Sequence, residues 1–301
     1  MENFLLLGIC FFLGIVLRVC GVVDTKGAAA LNAVIINMSL PALALLYAHS
    51  LPLGPELVLP AAMAWIVFGV GYLFFAFAGK LMGLDKQTLV CLALTGGLGN
   101  TSFVGLPMIE AFFGPEYLGV GMLCDTAGSF MVLAIPGIIL AANISGQKIE
   151  RAALAKKILL FPPLIAIVLG FALQPIPYPD WFSSTLSRLG ATLSPLALLS
   201  VGVTLQLSAI RGNLRELTLG LTYKMVIAPA IIAILYIWVL GQTDIIARVT
   251  VFESTMGPMV TGGIIAMTYG ARPSLATSML GIGIPLSFLT IPVWYNIIMA
   301  M

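Results

Sequence analysis

Residues 95–107 read TGGLGNTSFVGLP, and they lie inside a long apolar run. Four glycines and Pro107 interrupt what would otherwise be a helix of membrane length. A glycine in a helix interior costs about 1 kcal/mol relative to alanine, and a proline costs about 3 kcal/mol. Pro107 also leaves a backbone carbonyl group without its intrahelical donor. The stretch therefore predicts a helix that is broken part of the way across the membrane.

A second interrupted stretch covers residues 253–263, which read ESTMGPMVTGG. Both stretches carry Ser and Thr hydroxyl groups beside the glycines and the proline. Open backbone in hydrocarbon is tolerated only where protein buries it or where it lines a cavity. One interpretation is an ordinary kinked helix that packs closely through its glycines. A second interpretation is favoured because the two stretches lie at matching positions in the two halves of the chain. In this interpretation two pairs of half-helices cross at mid-depth, and their positive N-terminal ends attract a carboxylate.

The composition of the whole chain indicates the class of protein. Hydrophobic residues make up 60% of the 301 residues and charged residues 9%, whereas a soluble domain carries about 25% charged residues. This excludes a soluble fold, a disordered chain and a disulfide-stapled secreted domain. The net charge of +2 is too small to indicate nucleic acid as a partner. We predict an all-helical polytopic membrane protein whose main surroundings are the lipid bilayer.

The cysteines and the single histidine form no recognisable site. Cys10, Cys20, Cys91 and Cys124 lie in or beside apolar runs without paired metal-ligand spacing, so we interpret them as small apolar side chains. His49 lies at the end of an apolar run, where an interfacial histidine is common. We predict no metal site, no cofactor and no catalytic residue, and the sequence leaves coupling to Na⁺ or H⁺ open.

Ten apolar runs are long enough to cross a bilayer, which needs about 20 residues. The connections between them are short and rich in turn-forming residues. The predicted spans are 3–22, 29–48, 57–79, 88–112, 117–141, 158–174, 186–209, 214–240, 246–269 and 274–299.

The basic residues predict the orientation, because Lys and Arg accumulate on the cytoplasmic side. With the N-terminus outside, Arg188 and Arg248 fall on the outer side, and Lys224 falls within a span. The other eleven basic residues fall at cytoplasmic ends or loops: Arg18, Lys26, Lys80, Lys86, Lys148, Arg151, Lys156, Lys157, Arg211, Arg215 and Arg272. Both termini are therefore predicted to be extracytoplasmic, and we expect the chain in a bacterial inner membrane.

The two halves of the chain resemble each other. Gly14 in the first span corresponds to Gly170 in the sixth, and Pro41 in the second corresponds to Pro195 in the seventh. Five spans are an odd number, so the second half enters the membrane from the opposite side, as in many secondary transporters. We predict a five-plus-five inverted repeat: a first repeat over 1–142, a cytoplasmic linker over 143–157 and a second repeat over 158–301.

Three ionisable residues lie deep within the predicted spans, namely Asp125, Lys224 and Glu253. Buried charge in a membrane is costly, so each is a functional candidate. Lys224 and Glu253 either form an ion pair that holds spans eight and nine together, or Lys224 helps to neutralise an anionic substrate. Asp125 or Glu253 is alternatively the carrier of a coupling proton.

The stretch from Asn100 to Gly114 resembles the fourth span of the auxin efflux carrier family. This family includes the plant PIN auxin exporters and bacterial carriers of malonate, malate and similar acids. The Asn-Thr pair, the Gly-x-Pro motif and the terminal Phe-Gly agree in spacing. The short central loop of this chain resembles that of a prokaryotic member. The ten spans, the repeat and the prolines of spans two and seven extend the resemblance over the chain.

The resemblance implies two subdomains and a site between helices. Residues 1–48 and 158–209 would form a scaffold that also dimerises, and residues 57–141 and 213–299 would form a mobile transport domain. The family's crossover proline of span nine corresponds to Gly262, with Pro258 one turn earlier. The substrate-binding residues are then expected to be Asn100, Thr101, Ser102, Pro107, Gly257, Pro258, Thr261, Gly262 and Gly263. The expected homodimer would use apolar faces around Leu43, Leu46, Leu198 and Val201.

The favoured function is a secondary transporter of a small organic anion, with the substrate at the crossing of spans four and nine and an elevator-like movement. One alternative is a sodium- or proton-coupled symporter of the bile-acid-carrier type, since hydroxyl and amide oxygens near both breaks could hold an ion. A less favoured alternative is an intramembrane enzyme. The chain has no HExxH motif and a single histidine, which excludes a zinc metalloprotease.

Overall fold

The structure of the chain, a computed structural model, describes residues 2–51, 54–146, 150–205 and 214–301. Within these ranges the chain is helical and forms no strand, which confirms the predicted all-helical class. Four parts of the sequence-based predictions lie outside the described residues: Lys148, Arg211, residues 147–149 of the predicted linker and residues 206–209 of the seventh predicted span.

Thirteen helices occupy the described residues when a helix that continues through a 3₁₀ or π-helical turn is counted once. They are α1 Glu2–Val19, α2 Lys26–Ser50, α3 Val58–Met82, α4 Lys86–Gly96, α5 Thr101–Phe112, α6 Pro115–Ser145, α7 Arg151–Leu159, α8 Pro162–Ala172, α9 Asp180–Thr204, α10 Leu214–Val239, α11 Ile245–Ser254, α12 Val260–Thr268 and α13 Pro273–Ala300.

Six of these helices, namely α2, α3, α6, α9, α10 and α13, are long and apolar enough to cross a membrane. They correspond to six of the ten predicted spans. The first and sixth predicted spans correspond to the shorter apolar helices α1 and α8, and the fourth and ninth are each divided into two helices. Large apolar side chains such as Phe12, Leu73 and Trp238 are exposed on the outside. The chain is therefore a multi-span membrane protein.

The predicted linker over 143–157 is not a simple loop, because α7 occupies most of its second half. The sixth span begins four residues later than predicted, at Pro162. Two consecutive prolines, Pro162 and Pro163, explain the shift. Proline is favoured in the first turn of a helix, where its missing N–H is not needed, and it cannot continue a helix that precedes it.

Close glycine contacts join α1 to α9 and α8 to α2. Gly14 of α1 lies against Gly202 of α9, and a Cβ added to either glycine would meet the other's Cα at 3.0 Å. Gly170 of α8 lies against α2, where an added Cβ would be 2.9 Å from Cβ of Ala48. Small residues allow membrane helices to approach in this way without a hydrophobic driving force.

Aromatic side chains with hydrogen-bonded polar atoms join α10 to α3 and α3 to α6. The hydroxyl groups of Tyr223 and Tyr236 on α10 donate to the carbonyl oxygens of Val67 and Leu59 on α3. Trp65 of α3 donates from Nε1 to the Ala127 carbonyl oxygen on α6, over 3.1 Å. Tyr223 and Tyr236 are buried, and a buried tyrosine needs such a partner for its hydroxyl group.

Three of the side chains expected to face a dimer partner are instead buried within the monomer. Leu43, Leu198 and Val201 pack inside the chain, and Leu46 is partly buried. The interpretation of these side chains as a dimer surface is wrong for the first three. The cause is that α2 packs on α8 and α9, and α9 packs on α1 as well as on α2. The homodimer itself stays a prediction.

Candidate functional site

Both predicted interruptions are present, and they lie against each other. Between α4 and α5 the helix is broken at residues 97–100, and between α11 and α12 it is broken at residues 255–259. The amide of Asn100 donates to the Gly257 carbonyl oxygen over 2.9 Å, and the amide of Met259 donates to the Leu98 carbonyl oxygen over 3.2 Å. Gly99 and Pro258 therefore form an antiparallel bridge. Backbone groups that the helices leave open satisfy each other within protein.

The sequence predicts breaks within residues 100–107 and 257–263, and the observed breaks overlap these segments at Asn100 and at residues 257–259 but begin a few residues earlier. Pro107 is not in a break, because α5 runs through it after a π-helical turn at Thr101–Gly105. A proline in the first turns of a helix removes few bonds, whereas glycine offers no side chain to stabilise a helix end. Glycines at 97 and 99 therefore stop α4 before Pro107 has any effect.

In span nine the crossing uses Pro258 rather than Gly262. Pro258 pairs with Gly99, while Gly262 and Gly263 belong to α12. A Cβ on Gly262 would collide with the Leu94 carbonyl oxygen, and one on Gly263 would meet the Leu280 side chain. The expectation that Gly262 stands at the crossover position is therefore wrong, and these two glycines pack α12 against α4 and α13.

Asn100 begins α5 and has an unused amide group. Its Oδ1 accepts a 3.3 Å hydrogen bond from the Phe103 amide, so it caps the helix. The side chain is 2% exposed, and Nδ2 has no hydrogen-bond partner among the described residues. An unsatisfied buried donor is costly. The first turn of α12, which starts at Val260, lies directly beyond the same bridge.

A cavity of about 340 Å³ lies beside the crossing. Its polar lining consists of Ser102, Asp125 and Thr261, each of which the sequence analysis had singled out. The other lining residues are Ile36, Leu40, Phe103, Phe130, Leu133, Ala134, Ile138, Phe161, Met259 and Ile265. They come from α2, α5, α6, the residues before α8, and α12. The rings of Phe130 and Phe161 stack at 3.6 Å, so one wall of the cavity is aromatic.

Asp125 orients the first turn of α5. It lies on a π-helical turn of α6 and is 2% exposed. Its Oδ1 accepts hydrogen bonds from Thr101 Oγ1 at 2.6 Å and from Ser102 Oγ at 2.5 Å. A carboxylate that accepts two hydroxyl groups is well compensated for its burial. The three predicted residues therefore form one cluster.

Lys224 and Glu253 are both buried, but no direct ion pair joins them in the described structure. Lys224 Nζ donates to the Ser254 carbonyl oxygen over 3.0 Å. Neither carboxyl oxygen of Glu253 has a hydrogen-bond partner among the described residues. A direct Lys224–Glu253 ion pair is therefore not formed, although the two side chains border one small space. Neither side chain lines the 340 Å³ cavity.

Sequence reasoning missed the contacts around Glu253 and Glu110. Gly105 and Gly121 make room for the Glu253 carboxyl group, since a Cβ on Gly105 would overlap both of its oxygens. Ser194 Oγ of α9 donates a 2.5 Å hydrogen bond to Glu110 Oε2 of α5. These pairs are distant in sequence and lack a local pattern. The one available signal was the Gly-x-Pro motif that contains Gly105.

Broken apolar helices around a buried polar cluster are typical of membrane transport proteins. The chain matches the family described as Membrane transport protein over residues 1–295, and it therefore belongs to that family, the auxin efflux carrier family that the residues after Asn100 resemble.

Two relatives match the chain over nearly its whole length. An uncharacterised transporter of Methanothermobacter thermautotrophicus is 28% identical over 296 residues, covering 97% of this chain and 96% of the relative. An uncharacterised transporter of Methanocaldococcus jannaschii is 24% identical over 305 residues, covering 98% and 97%. The names of the family and of both relatives agree with a transporter rather than an enzyme.

Proposed function

We propose that this membrane transport protein is a secondary carrier of a small organic anion, which binds where the two helix breaks meet. The observation that carries the proposal is the pairing of the breaks, because it brings the N-termini of α5 and α12 together. Free first-turn amides and positive helix ends bind anions. The Nδ2 group of Asn100 supplies a further buried donor.

The lining of the adjacent cavity supports a substrate with one carboxylate and an apolar body. A volume of about 340 Å³ is near the lower end of the range for small-molecule sites. Asp125 contributes a carboxyl group of its own, and like charges in a buried site repel. We therefore expect monocarboxylates with an aliphatic or aromatic body to bind better than malonate or malate.

The packing of the helices supports an inverted repeat that is divided into a scaffold and a mobile transport domain. The first helix of each half packs on the second scaffold helix of the other, as α1 on α9 and α8 on α2. Asp85 and Asp244 each cap the helix that precedes a break, with bonds to the amides of Thr88 and Ala247. In the proposal, α1, α2, α8 and α9 form the scaffold, and α3–α6 with α10–α13 form the transport domain.

The cavity supports an elevator-type movement, because its walls belong to both proposed parts. Ile36 and Leu40 come from the scaffold, whereas Ser102 and Thr261 come from the transport domain. With both termini extracytoplasmic, Phe161 lies at the cytoplasmic start of α8, so the cavity belongs to the cytoplasmic half. The Ser194–Glu110 hydrogen bond then lies on the outer side. We infer an inward-facing carrier.

A thermal-shift screen tests the proposal. Purified protein is heated with C2–C6 carboxylates and with indole acids, and we expect monocarboxylates of matching size to raise the melting temperature. A screen in which no carboxylate binds, or in which dicarboxylates bind best, would contradict the proposed substrate class.

Asn100→Ala should weaken binding of the best ligand by about 1–3 kcal/mol, because a buried donor is lost. Asn296→Ala is the matched control, since Asn296 is an exposed amide that bonds only locally to the Pro292 carbonyl oxygen. Isothermal titration measures both affinities. If Asn100→Ala lowers stability and leaves affinity unchanged, Asn100 is a packing residue and the crossing is not the binding site.

A second candidate function is an ion-coupled symporter. Both carboxyl oxygens of Glu253 lack a hydrogen-bond partner among the described residues, which favours Glu253 as the carrier of a coupling proton. Uptake into proteoliposomes with a pH gradient, a sodium gradient or neither separates these cases. Equal uptake in all three would support a uniporter.

A further inference from the structure

Lys224 is a charged residue that is buried within the membrane-spanning helix α10. It belongs to the π-helical turn Tyr223–Ile227 of α10, is 1% exposed and donates from Nζ to the carbonyl oxygen of Ser254. It does not line the substrate cavity. A charged side chain buried in a membrane is expensive and is retained where its surroundings compensate it.

Two half-helices end beside the Lys224 ammonium group. Ser254 is the last residue of α11, so the acceptor is one of the free carbonyl groups at that helix end. A Cβ placed on Gly99, three residues after the end of α4, would lie 3.1 Å from Nζ. Each helix end carries about half a negative charge. The end of α11 therefore compensates part of the ammonium charge directly, and Gly97 and Gly99, which follow the end of α4, border the same space.

Glu253 adds a carboxyl group to the same surroundings. Glu253 and Lys224 border one small space with Thr101 and Ser129, and the Ser129 hydroxyl also has no partner in the described structure. Carbonyl groups at the C-terminal ends of half-helices are groups that coordinate Na⁺ or H⁺ in carriers with broken helices. Here the ammonium group of Lys224, which is part of the chain itself, lies at such a carbonyl group, that of Ser254.

Lys224 is the one cation of this region. Among the residues that the structure describes, the buried charged side chains are Asp125, Glu253 and Lys224. Removal of the ammonium group would leave two carboxyl groups and two negative helix ends without a compensating charge.

We propose that Lys224 is a tethered counter-ion, which takes at the two half-helix ends the place that a coupling cation would take. The crossing therefore needs no sodium to stay intact, and the carrier moves its substrate without a sodium gradient. The transport consequence rests on the proposed function, whereas the structural role does not.

The first experiment compares melting temperatures of the purified protein in NaCl, KCl and choline chloride at equal ionic strength. We expect equal values for the wild-type chain, because the cation position is filled. Lys224→Met removes the charge at similar volume and should lower the melting temperature. Lys80→Met, at an exposed lysine of α3, is the matched control and should melt like the wild type.

The second experiment restores the missing charge. Lys224→Ala should melt at a lower temperature than the wild type, and methylammonium chloride should raise that temperature in proportion to its occupancy of the vacated position. Tetramethylammonium chloride at the same concentration should not, because it is too large for the space. A sodium-specific rise in Lys224→Ala would also support the assignment, since it shows that the position takes a free cation once the tethered one is gone.

Three results would overturn the proposal: a sodium-specific stabilisation of the wild type, a Lys224→Met chain as stable as the wild type, or no response of Lys224→Ala to any small cation. If Lys224→Ala cannot be purified, the first two comparisons still decide. No substrate is present in these measurements. If the carboxylate screen finds no ligand, the proposed function is contradicted, but the test of Lys224 as a counter-ion is unaffected.

Discussion

At the residue scale, the glycine at 105 leaves the space that the Glu253 carboxyl group fills. Gly105→Ala should lower the free energy of unfolding by about 1–3 kcal/mol, because the new methyl group overlaps both carboxyl oxygens. Denaturation in detergent micelles measures the change. Gly69→Ala is the control, since a Cβ on Gly69 of α3 meets nothing within 4 Å.

A double-mutant cycle identifies the cause of that loss. In a Glu253→Ala background the space is open, so Gly105→Ala should cost little or nothing further. An equal cost in both backgrounds would show that the alanine disturbs the backbone of the π-helical turn and not Glu253.

At the element scale, the approach of α1 to α9 depends on the absence of two side chains. Gly202→Ala should destabilise the fold by about 1–3 kcal/mol, because the added methyl group meets the Phe11 carbonyl oxygen and the Cα of Gly14. Backbone atoms cannot move aside as a flexible side chain can, so the two helices must separate. The melting temperature measures the effect.

Gly8→Ala is the matched control for Gly202→Ala. Gly8 lies on α1, the helix that Gly202 of α9 contacts, and an added Cβ would meet nothing within 4 Å, so the substitution should be neutral or slightly stabilising. A comparable loss in both variants would mean that the glycines matter for the helix itself and not for its contact with α9.

The sequence predicted the apolar elements well, because period and length of an apolar run are local properties. It also predicted that spans four and nine are broken, since Gly and Pro act locally on a helix. Each break begins a few residues earlier than predicted, because the hydrogen bond between Asn100 and Gly257 helps to decide where the helices stop. That pairing joins distant parts of the chain and has no local signal.

The sequence likewise predicted residues of the candidate site but not the contacts between them. Asp125 was named from its charge within a span, and Ser102 and Thr261 from the family resemblance, and all three line one cavity. The short bonds from Thr101 and Ser102 to Asp125, and the isolation of Glu253, depend on how α5, α6 and α11 pack. Packing of three separate helices cannot be read from any one of them.

At the scale of the whole molecule, the Ser194–Glu110 hydrogen bond joins the proposed scaffold to the proposed transport domain. Ser194→Ala should shift the population towards the outward-facing state by a few-fold, because one net hydrogen bond of about 1 kcal/mol is lost from the inward-facing state. The readout is the labelling rate of Thr261→Cys, in a chain without its native cysteines, from each side of the membrane.

Ser184→Ala is the control for this shift, since Ser184 is an exposed serine on the same helix α9. Labelling of Thr261→Cys that does not change in Ser194→Ala would mean that this bond does not hold the outer side closed.

The orientation of the whole chain stays a prediction that labelling can test. Cysteines introduced at positions 2 and 301 should react with an impermeant reagent in intact cells, because the basic residues concentrate on the opposite side. Reaction only after the membrane is opened would reverse the assignment, and the cavity would then belong to the outer half.

The bridge between residues 98–100 and 257–259 also has a consequence for biogenesis. Its two sides lie in different halves of the chain, so α5 enters the membrane long before the ribosome has made its partner. Until α11 and α12 arrive, the open backbone at the start of α5 has no protein group to satisfy it in the bilayer. Contacts between residues so distant in sequence form late. A nascent chain that stops before residue 245 therefore has inserted helices but no complete binding site. The last helices to leave the ribosome complete the binding site and the fold in the same event.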